Sequence, residues 1–456
     1  MLQRREITNS SYLALEDVYV DGMHVSGAFG ISAGGASNVV HDIRIEGCTL
    51  VDMDNDGDPA DLGQQDDGIS TKAPTWGWII RNNTITGAGT GMYLGNSDGS
   101  DPFIAGVIEG NLIDKPTGYC IEIKQQNPWP SVPGIPTQPT ATILSNNVFV
   151  KADHAATTSG PRPQVLVDGF PTTGPGAENH YELYGNLFVH DDEDYLVQAT
   201  GRVHVHDNIF VDDATYGAVN FTNHDGYTVI DAIAYNNTIY AVGTGIAFSN
   251  APSGVGFAVG NAIFATTAFS GTAATQTDNV TDTVANAGQY VNHPSVTMGS
   301  MDFYPKAGSA LRGTKLDLSS VSTDVDYDRD FNGTAKDFTY RGAYSGEGIN
   351  PGVGDGGTSS GGGADGGGAT GDEDSGTSSG GSGSGSGSGG SSGGSSGAGG
   401  DASVDAGKPA ATSSSSGCGC TEAGTSPWDA RSLLIWMAIA MVAGFRRPWR
   451  AVAART

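Results

Sequence analysis

A short segment centred on asparagine recurs along the chain. Its clearest copy is Ile80-Arg81-Asn82-Asn83-Thr84-Ile85, which reads as an apolar residue, two variable residues, asparagine, one variable residue and a second apolar residue. The steps between copies run from 22 residues (Asn186 to Asn208) to 39 residues (Asn147 to Asn186). A constant segment with variable spacers is typical of repeated structural units that differ in loop length. The other copies are centred on Asn111, Asn147, Asn186, Asn208, Asn237 and Asn261, and two weaker copies place Met23 and Cys48 at the asparagine position.

The repeated segments predict β-strands. They are too short for helices, and their apolar residues alternate with a period of two. A second family of short strands lies between them, and no amphipathic segment is long enough to form a crossover helix. We therefore expect two or three strands per repeat, with glycine or asparagine at the corners and parallel pairing between equivalent strands of successive repeats. The second family comprises residues 30–33, 68–72, 91–95, 120–124, 164–168, 218–221 and 245–248.

This arrangement resembles the right-handed parallel β-helix proteins, which include many polysaccharide lyases and hydrolases. The resemblance covers residues 12–345. It implies an all-β fold, a single-stranded right-handed parallel β-helix of about nine rungs. In such a fold the repeated asparagines have a structural role, because asparagine tolerates left-handed backbone angles at a corner and its side chain can bond to the next rung.

Composition limits the partners of the protein. Asp and Glu number 50 against 22 Lys and Arg, and the formal net charge is −28. Nucleic acid binding needs a basic surface, so nucleic acid is excluded as a partner. We expect a monomer that recognises polysaccharide. Cys48 and Cys120 lie in different strand families and predict free buried thiols rather than a disulfide.

The second strand family supplies the candidate site. Alternate residues of a strand point outward, so stacking the rungs puts Tyr93 and Glu122 in one outward column and Lys72 and Lys124 in the next. Two rungs separate the lysines, a distance of about 10 Å, and Gly95 leaves a hollow between them. The candidate catalytic residues are Lys72, Lys124, Tyr93 and Glu122, with Ser70 and Leu166 in the first column and Asp168 in the second.

The resemblance to β-helix lyases implies a role for these lysines. Lys72 or Lys124 would remove the proton next to a uronate carboxylate, and Arg81 or Arg162 would neutralise that carboxylate. The alternative is that both lysines belong to a solvated outer face. Asp66, Asp67 and Arg162 are candidate substrate-binding residues at the same strands.

Long loops are predicted on both sides of this column. Residues 96–102, 125–139 and 169–180 leave at one edge, and residues 51–67 and 151–163 enter at the other. Together they predict a groove. Trp129 lies in a proline-rich loop and is a candidate substrate-binding residue, either as a platform for a sugar ring or as a lid folded onto the helix.

Acidic runs suggest cation binding in two places. Asp52, Asp54, Asp56 and Asp58 place carboxylates at alternate positions around Gly57, a pattern that suits Ca²⁺. The glutamate that completes an EF-hand loop is replaced by Gly63, so a solvated acidic loop is the alternative. Asp324, Asp326 and Asp328 predict either a second cation site or a turn. His204 and His206 share one face of a strand and predict a surface pair.

The two ends of the chain carry separate expectations. Residues 1–11 contain basic residues but no apolar stretch, which predicts a truncated start that lacks its leader and cap; the alternative is an uncapped protein that uses a partner. Residues 290–345 are expected to close the last rung. Residues 346–417 are nearly all Gly, Ser, Ala and Asp and predict a disordered linker.

Residues 418–456 form the last segment. Cys418 and Cys420 precede a short apolar run, predicted to be helical, and then Arg446, Arg447 and Arg450. This order resembles the C-terminal sorting signals of myxobacteria. The resemblance implies export through the inner membrane, cleavage by a sorting protease at the membrane, and an extracellular or cell-surface location; the alternative is a retained membrane anchor.

These observations predict a protein that acts on or binds polysaccharide at the cell surface. If it is an enzyme, a lyase of acidic glycans is favoured over a glycoside hydrolase. A non-catalytic carbohydrate-binding or adhesive module and a structural surface protein are the alternatives.

Overall fold

The computed structural model describes residues 5–25, 27–35, 39–53, 66–128, 132–157, 160–271 and 275–350. These residues form a parallel β-helix with three long faces. Face A holds the strands before the repeated asparagines, face B the strands after them, and face C the second strand family. The strand pairings give ten parallel strands on each face. The predicted fold class is therefore confirmed, with ten rungs in the described residues rather than about nine.

The strands follow one another in the order A, B, C along the chain. Face A comprises Ala14–Glu16, Arg44–Glu46, Ile79–Arg81, Val107–Glu109, Ala141–Ser145, His180–Tyr184, Gly201–His206, Val229–Tyr235, Gly256–Val259 and Thr275–Thr277. Face B comprises Tyr19–Asp21, Thr49–Met53, Thr84–Ala88, Leu112–Asp114, Val148–Val150, Leu187–Val189, Ile209–Asp212, Thr238–Phe248, Ala262–Gly271 and Val280–Asp282. Face C comprises Arg5–Ile7, Ile31–Gly34, Asp67–Lys72, Thr90–Leu94, Ile121–Ile123, Val165–Val167, Tyr195–Ala199, Gly217–Phe221 and the later parts of Thr238–Phe248 and Ala262–Gly271.

A few shorter elements complete the described structure. Val40–His41, Thr75–Trp76 and Phe103–Ile104 form a small parallel sheet ahead of face A. Ala156–Thr157 pairs with Gly160–Pro161, and Val291–His293 pairs with Asp302–Pro305, both antiparallel. The helical elements are two short 3₁₀ helices, Val284–Gln289 and Ser319–Val321.

Side chains of equal type stack along the interior. Phe149, Phe188 and Phe210 occupy the same position on three successive rungs, with ring centroids 4.9 and 4.7 Å apart, and all three are fully buried. This spacing follows from the separation of hydrogen-bonded strands, about 4.8 Å. The inward-facing apolar residues of the strands therefore form one continuous core along the helix axis.

The repeated asparagines form a buried hydrogen-bonded ladder at the corner between faces A and B. In each rung the Asn Nδ2 donates to Oδ1 of the next asparagine, at 2.9 or 3.0 Å, and to a backbone carbonyl. Cys48 N donates to Asn83 Oδ1, so the predicted position of Cys48 is confirmed. The ladder comprises Asn83, Asn111, Asn147, Asn186, Asn208, Asn237, Asn261 and Asn279.

Two details of the predicted repeat were wrong, at its first and its last copy. The pairing of Glu16 with Glu46 aligns Val18 with Cys48, so Val18 and not Met23 occupies the first ladder position; the Met23 side chain is 65% exposed. The repeat also continues to Asn279, one copy beyond Asn261, the last copy identified in the sequence.

The left-handed corner residue is also not the ladder asparagine but the residue before it. Asn82, Asn146 and Asn236 have φ of 56°, 56° and 50°, and glycine or aspartate fills the same position in other rungs. Dividing the two tasks between adjacent residues lets one residue turn the chain while the next points its amide into the ladder.

The closing segment packs against the outside of the helix. Leu316 and Leu318 contact outward residues of face A, including Tyr235, and Phe303 and Tyr304 belong to a cluster with outward residues of face B. The segment that was expected to close the last rung therefore covers outward residues of faces A and B. The physical reason is that outward positions of the later rungs are apolar and need a cover.

Polar groups also join the closing segment to face A. Asp324 Oδ2 lies 2.9 Å from His204 Nδ1 and accepts a hydrogen bond from Tyr235 OH at 3.1 Å. His206 is fully buried, stacked between Tyr184 and Tyr235. The predicted histidine surface pair was therefore wrong, since both histidines lie at this contact.

Residues 351–456 lie outside the described structure, and with them most of the predicted linker and the candidate sorting residues Cys418 and Cys420. Among the described residues, none of the helices has the length and apolar character needed to cross a membrane.

Candidate functional site

Face C aligns the predicted catalytic residues. Tyr93 pairs with Ser70 on one side and Glu122 on the other, which is the register expected from the sequence. Lys72 and Lys124 lie on either side of Gly95. Gly95 has φ of 96°, and a Cβ there would come within 3.2 Å of Lys124 Cβ, so glycine permits both the turn and the close approach. We call the outward residues of these strands, together with Asp168 and the histidine that contacts it, the face C cluster.

The face C cluster is covered rather than solvated. Ser70, Tyr93, Glu122 and Lys124 are 2–6% exposed. Lys72 is partly exposed, and its Nζ lies 4.7 Å from the centroid of the Tyr93 ring and 5.9 Å from that of Phe29. The ammonium therefore lies against aromatic rings, a favourable arrangement for a cation.

Lys124 is held by two carboxylates. Its Nζ lies 3.1 Å from Glu122 Oε1 and 3.3 Å from Asp225 Oδ2. Burial alone would lower the pKa of Lys124, but the charge and hydrogen bond of Glu122 outweigh it and raise the pKa to about 12. Lys124 is therefore a fixed positive charge at neutral pH.

Tyr93 lies between the two lysines. Burial, and after it the charge of Glu122, raises the pKa of the Tyr93 hydroxyl to about 12. The phenol is therefore neutral at physiological pH and available as a proton donor.

Asp66 and Asp67 are buried at the start of the Lys72 strand, with exposures of 2% and 0%. Asp66 Oδ1 accepts a hydrogen bond from the backbone N–H of Gly27. Among the described residues, neither carboxylate oxygen of the buried Asp67 has a hydrogen-bond partner, and burial raises the pKa of Asp67 to about 7. Asp66 and Asp67 therefore lie beneath the surface, and their role in substrate binding stays a prediction.

His224 is a member of the cluster that the sequence-based reasoning missed. It follows the face C strand Gly217–Phe221, and its Nδ1 lies 2.9 Å from Oδ2 of the fully buried Asp168. The hydrogen bond to Asp168 is the main cause that raises the pKa of His224. The sequence signal that could have indicated a partner such as His224 was Asp168, a carboxylate predicted in the same column as the lysines.

Loops border the cluster at both edges. At one edge Gln125 Nε2 donates to Ser97 O at 2.8 Å, and Tyr227 OH donates to Asn127 Oδ1 at 2.6 Å. At the other edge the Arg162 guanidinium lies 5.7 Å from the centroid of the Tyr119 ring. The loop that carries Arg162 is tied down by Lys151, whose Nζ donates to Arg162 O.

Some predicted site residues lie on another face of the helix, and others lie outside the described residues. Arg81 is on face A, where its guanidinium lies 2.8 Å from Glu46. Trp129 lies outside the described residues, as do Asp54, Asp56 and Asp58; Asp52 is described and lies 3.8 Å from His24. The calcium site therefore stays a prediction. Cys48 and Cys120 are free and buried, as predicted.

Comparisons with known proteins do not identify a function for this chain. No family model matches the sequence, and no curated protein matches it. Among solved structures, the crystal structure of an alginate lyase from Paenibacillus sp. str. FPU-7 is 12% identical, with 59% of this chain and 91% of that chain covered and a TM-score of 0.27. A likeness at this level does not bear on activity.

Proposed function

We propose that the face C cluster binds an acidic polysaccharide and cleaves it by β-elimination at a uronate unit. The observation that carries this proposal is the pair of lysines two rungs apart on one face, with Tyr93 between them and loops at both edges. In a chain of net charge −28, two cations on one face form a local site for an anionic group. At Lys124 that group would compete with the exposed Asp225 carboxylate, which lies 3.3 Å from Nζ.

β-Elimination needs three groups. A cation stabilises the charge that develops on the uronate carboxylate when its α-proton leaves. A base takes that proton, and an acid protonates the glycosidic oxygen as the carbon–oxygen bond breaks and a carbon–carbon double bond forms.

The cluster offers one residue for each task. Lys124 is assigned to the carboxylate, because an ammonium with a pKa of about 12 is a poor base at neutral pH. His224 is assigned as the base, oriented by Asp168 through its Nδ1. Tyr93 is assigned as the acid, since its pKa of about 12 keeps it protonated. Lys72 supplies a second positive charge for the neighbouring sugar.

Ultraviolet absorbance of the unsaturated uronate product tests this assignment. The full chain is incubated with a panel of acidic polysaccharides with and without Ca²⁺. We expect absorbance to rise, and His224→Gln or Tyr93→Phe to slow the rise by about 100-fold or more, the usual contribution of an acid or base. His293→Gln and Tyr216→Phe are matched controls away from the cluster and keep the wild-type rate. Wild-type rates in His224→Gln would refute the assigned base.

Burial of the cluster favours a second function. Ser70, Tyr93 and Glu122 are at most 5% exposed, which also suits a binding or structural face that performs no chemistry. Retention of the polysaccharide on immobilised protein without any rise in absorbance would support a carbohydrate-binding or adhesive module, and Lys72→Ala would weaken that retention. Absence of both signals would support a structural surface protein.

We infer further that the protein is exported and displayed at the cell surface. Cys418 and Cys420, followed by an apolar run and three arginines, support this location. Replacing both cysteines with serine is expected to prevent tail cleavage by a sorting protease, seen as a larger chain retained in the membrane fraction. Normal cleavage of this variant would contradict the inference.

A further inference from the structure

A second polar cluster lies at the corner between faces B and C, away from Lys72 and Lys124. It is built from the turns that follow three successive face B strands, Val148–Val150, Leu187–Val189 and Ile209–Asp212. These turns, with the last residue of the third strand, bring together Asp153, His190, Asp212 and Asp213. We call this group the corner cluster.

The side chains of the corner cluster converge on His190. Its Nδ1 lies 2.7 Å from Asp213 Oδ1, and its Nε2 lies 2.9 Å from Asp153 Oδ1. One ligand atom from each of His190, Asp212 and Asp213 falls within 4.8 Å of the others. One imidazole thus faces carboxylates from the rungs on both sides of its own.

Asp212 provides an independent sign of a missing ligand. Its side chain is fully buried, and its Oδ1 accepts backbone N–H bonds from Ala214 at 3.2 Å and Asp191 at 3.4 Å. Its Oδ2 is buried and receives no hydrogen bond from the described residues. A buried carboxylate oxygen without a partner is costly, at about 1–3 kcal/mol or more for a charged group, and a cation would satisfy it.

We propose that the corner cluster binds a divalent transition-metal ion, with His190, Asp212 and Asp213 as ligands and Asp153 completing the set. Mixed imidazole and carboxylate donors suit Zn²⁺ or Mn²⁺ better than Ca²⁺, which prefers oxygen ligands alone. The ligands come from three consecutive rungs, so the bound ion would clip those rungs together.

The corner cluster is distinguished from two similar groups in the described residues. His154 lies with Asp192 and Glu193, and Asp168 lies with His224 and Asp225. In the second of these groups both Asp168 oxygens are engaged, one with the backbone N–H of Gly169 and one with His224. Neither group contains a buried carboxylate oxygen that lacks a partner.

Isothermal titration of the chelator-treated full chain with ZnCl₂ and MnCl₂ tests the site. Cys418 and Cys420 are replaced by serine in every sample, because thiolates in the tail would also bind Zn²⁺. Asp212→Asn removes a ligand at nearly constant shape. His190→Asn is chosen over alanine because His190 has φ of 60°, a region that asparagine tolerates.

We expect one ion per chain, a thermal midpoint that rises with the ion, and affinity at least about 30-fold weaker in Asp212→Asn and His190→Asn. Asp168→Asn and Asp192→Asn are matched controls in the other two groups and keep the wild-type affinity. Thermal unfolding without metal confirms that each variant is folded.

Absence of Zn²⁺ and Mn²⁺ binding overturns the proposal. So does binding that survives in Asp212→Asn and disappears in Asp168→Asn or Asp192→Asn. Binding of Zn²⁺ and Mn²⁺ that is unchanged in His190→Asn would refute His190 as a ligand.

Discussion

Replacing Asn147 with alanine tests the asparagine ladder at its centre. Asn147 Nδ2 donates to Ile108 O and to Asn186 Oδ1, and Asn147 Oδ1 accepts from both the backbone N–H and Nδ2 of Asn111. Alanine removes all four bonds from a position that is 1% exposed. Water has no access there to replace them.

The expected cost follows from these contacts. The Asn111 N–H becomes a buried donor without a partner, at about 1–3 kcal/mol, and the three other lost bonds contribute about 0.5–1 kcal/mol each. The sum is about 2.5–6 kcal/mol of unfolding free energy. Since unfolding entropy is about 2.1 cal/mol/K per residue, a helix of this length loses about 1.5 °C per kcal/mol, and the thermal midpoint falls by about 4–9 °C.

Thermal and urea unfolding of the full chain, followed by circular dichroism, measure this change. Asn146→Gly is the matched control, because Asn146 is the adjacent asparagine, lies outside the ladder and has a left-handed φ of 56° that glycine adopts freely. We expect Asn146→Gly to change the unfolding free energy by less than about 1 kcal/mol. If the two variants lose equal stability, the ladder does not stabilise the helix as argued.

Two further predictions concern buried charges. The folded-state pKa of Asp67, about 7, lies above the value of about 3.9 in an unfolded chain. The native state therefore loses stability as pH rises from about 4 through about 7, by at most about 4 kcal/mol. Asp67→Asn should remove this loss, and urea midpoints that fall equally with pH in the wild type and the variant would refute the prediction. Lys336 Nζ lies 2.7 Å from Asp207 Oδ2, with both side chains buried. Lys336→Ala should cost up to about 3–5 kcal/mol, because the buried Asp207 carboxylate loses its ammonium partner and keeps only the contact with His206 Nδ1 at 2.9 Å. Lys315→Ala, at an exposed position, should cost little in the same urea assay.

The sequence predicted what depends on strand periodicity. The register of Ser70, Tyr93 and Glu122 follows from the repeat, because parallel strands pair with their equivalents and alternate residues point outward. The ladder position of Cys48 follows in the same way. Both positions can be predicted from the spacing of residues within two successive repeats.

The errors arose where contacts cross several rungs. Met23 was placed on the ladder in the first rung, where no asparagine marks the position and Val18 fits the spacing equally well. The closing segment packs along faces A and B because the outward residues there are apolar, and a pattern read one strand at a time does not identify the segment that covers them. His224 was missed for the same reason.

Contacts between distant rungs hold the face C cluster in place. In a β-helix each rung contacts mainly its neighbours, so stability is close to a sum of local terms and a weakened rung can open by itself. The turn that carries His224 and Asp225 leaves face C three strands beyond Ile121–Ile123, yet Asp225 reaches Lys124 and Tyr227 reaches Asn127. These contacts tie four successive strands of face C together through one turn. The proposed base and the proposed carboxylate-binding lysine therefore keep their geometry only while the intervening rungs stay stacked, and a lesion such as Asn147→Ala should reduce activity at temperatures below its thermal midpoint.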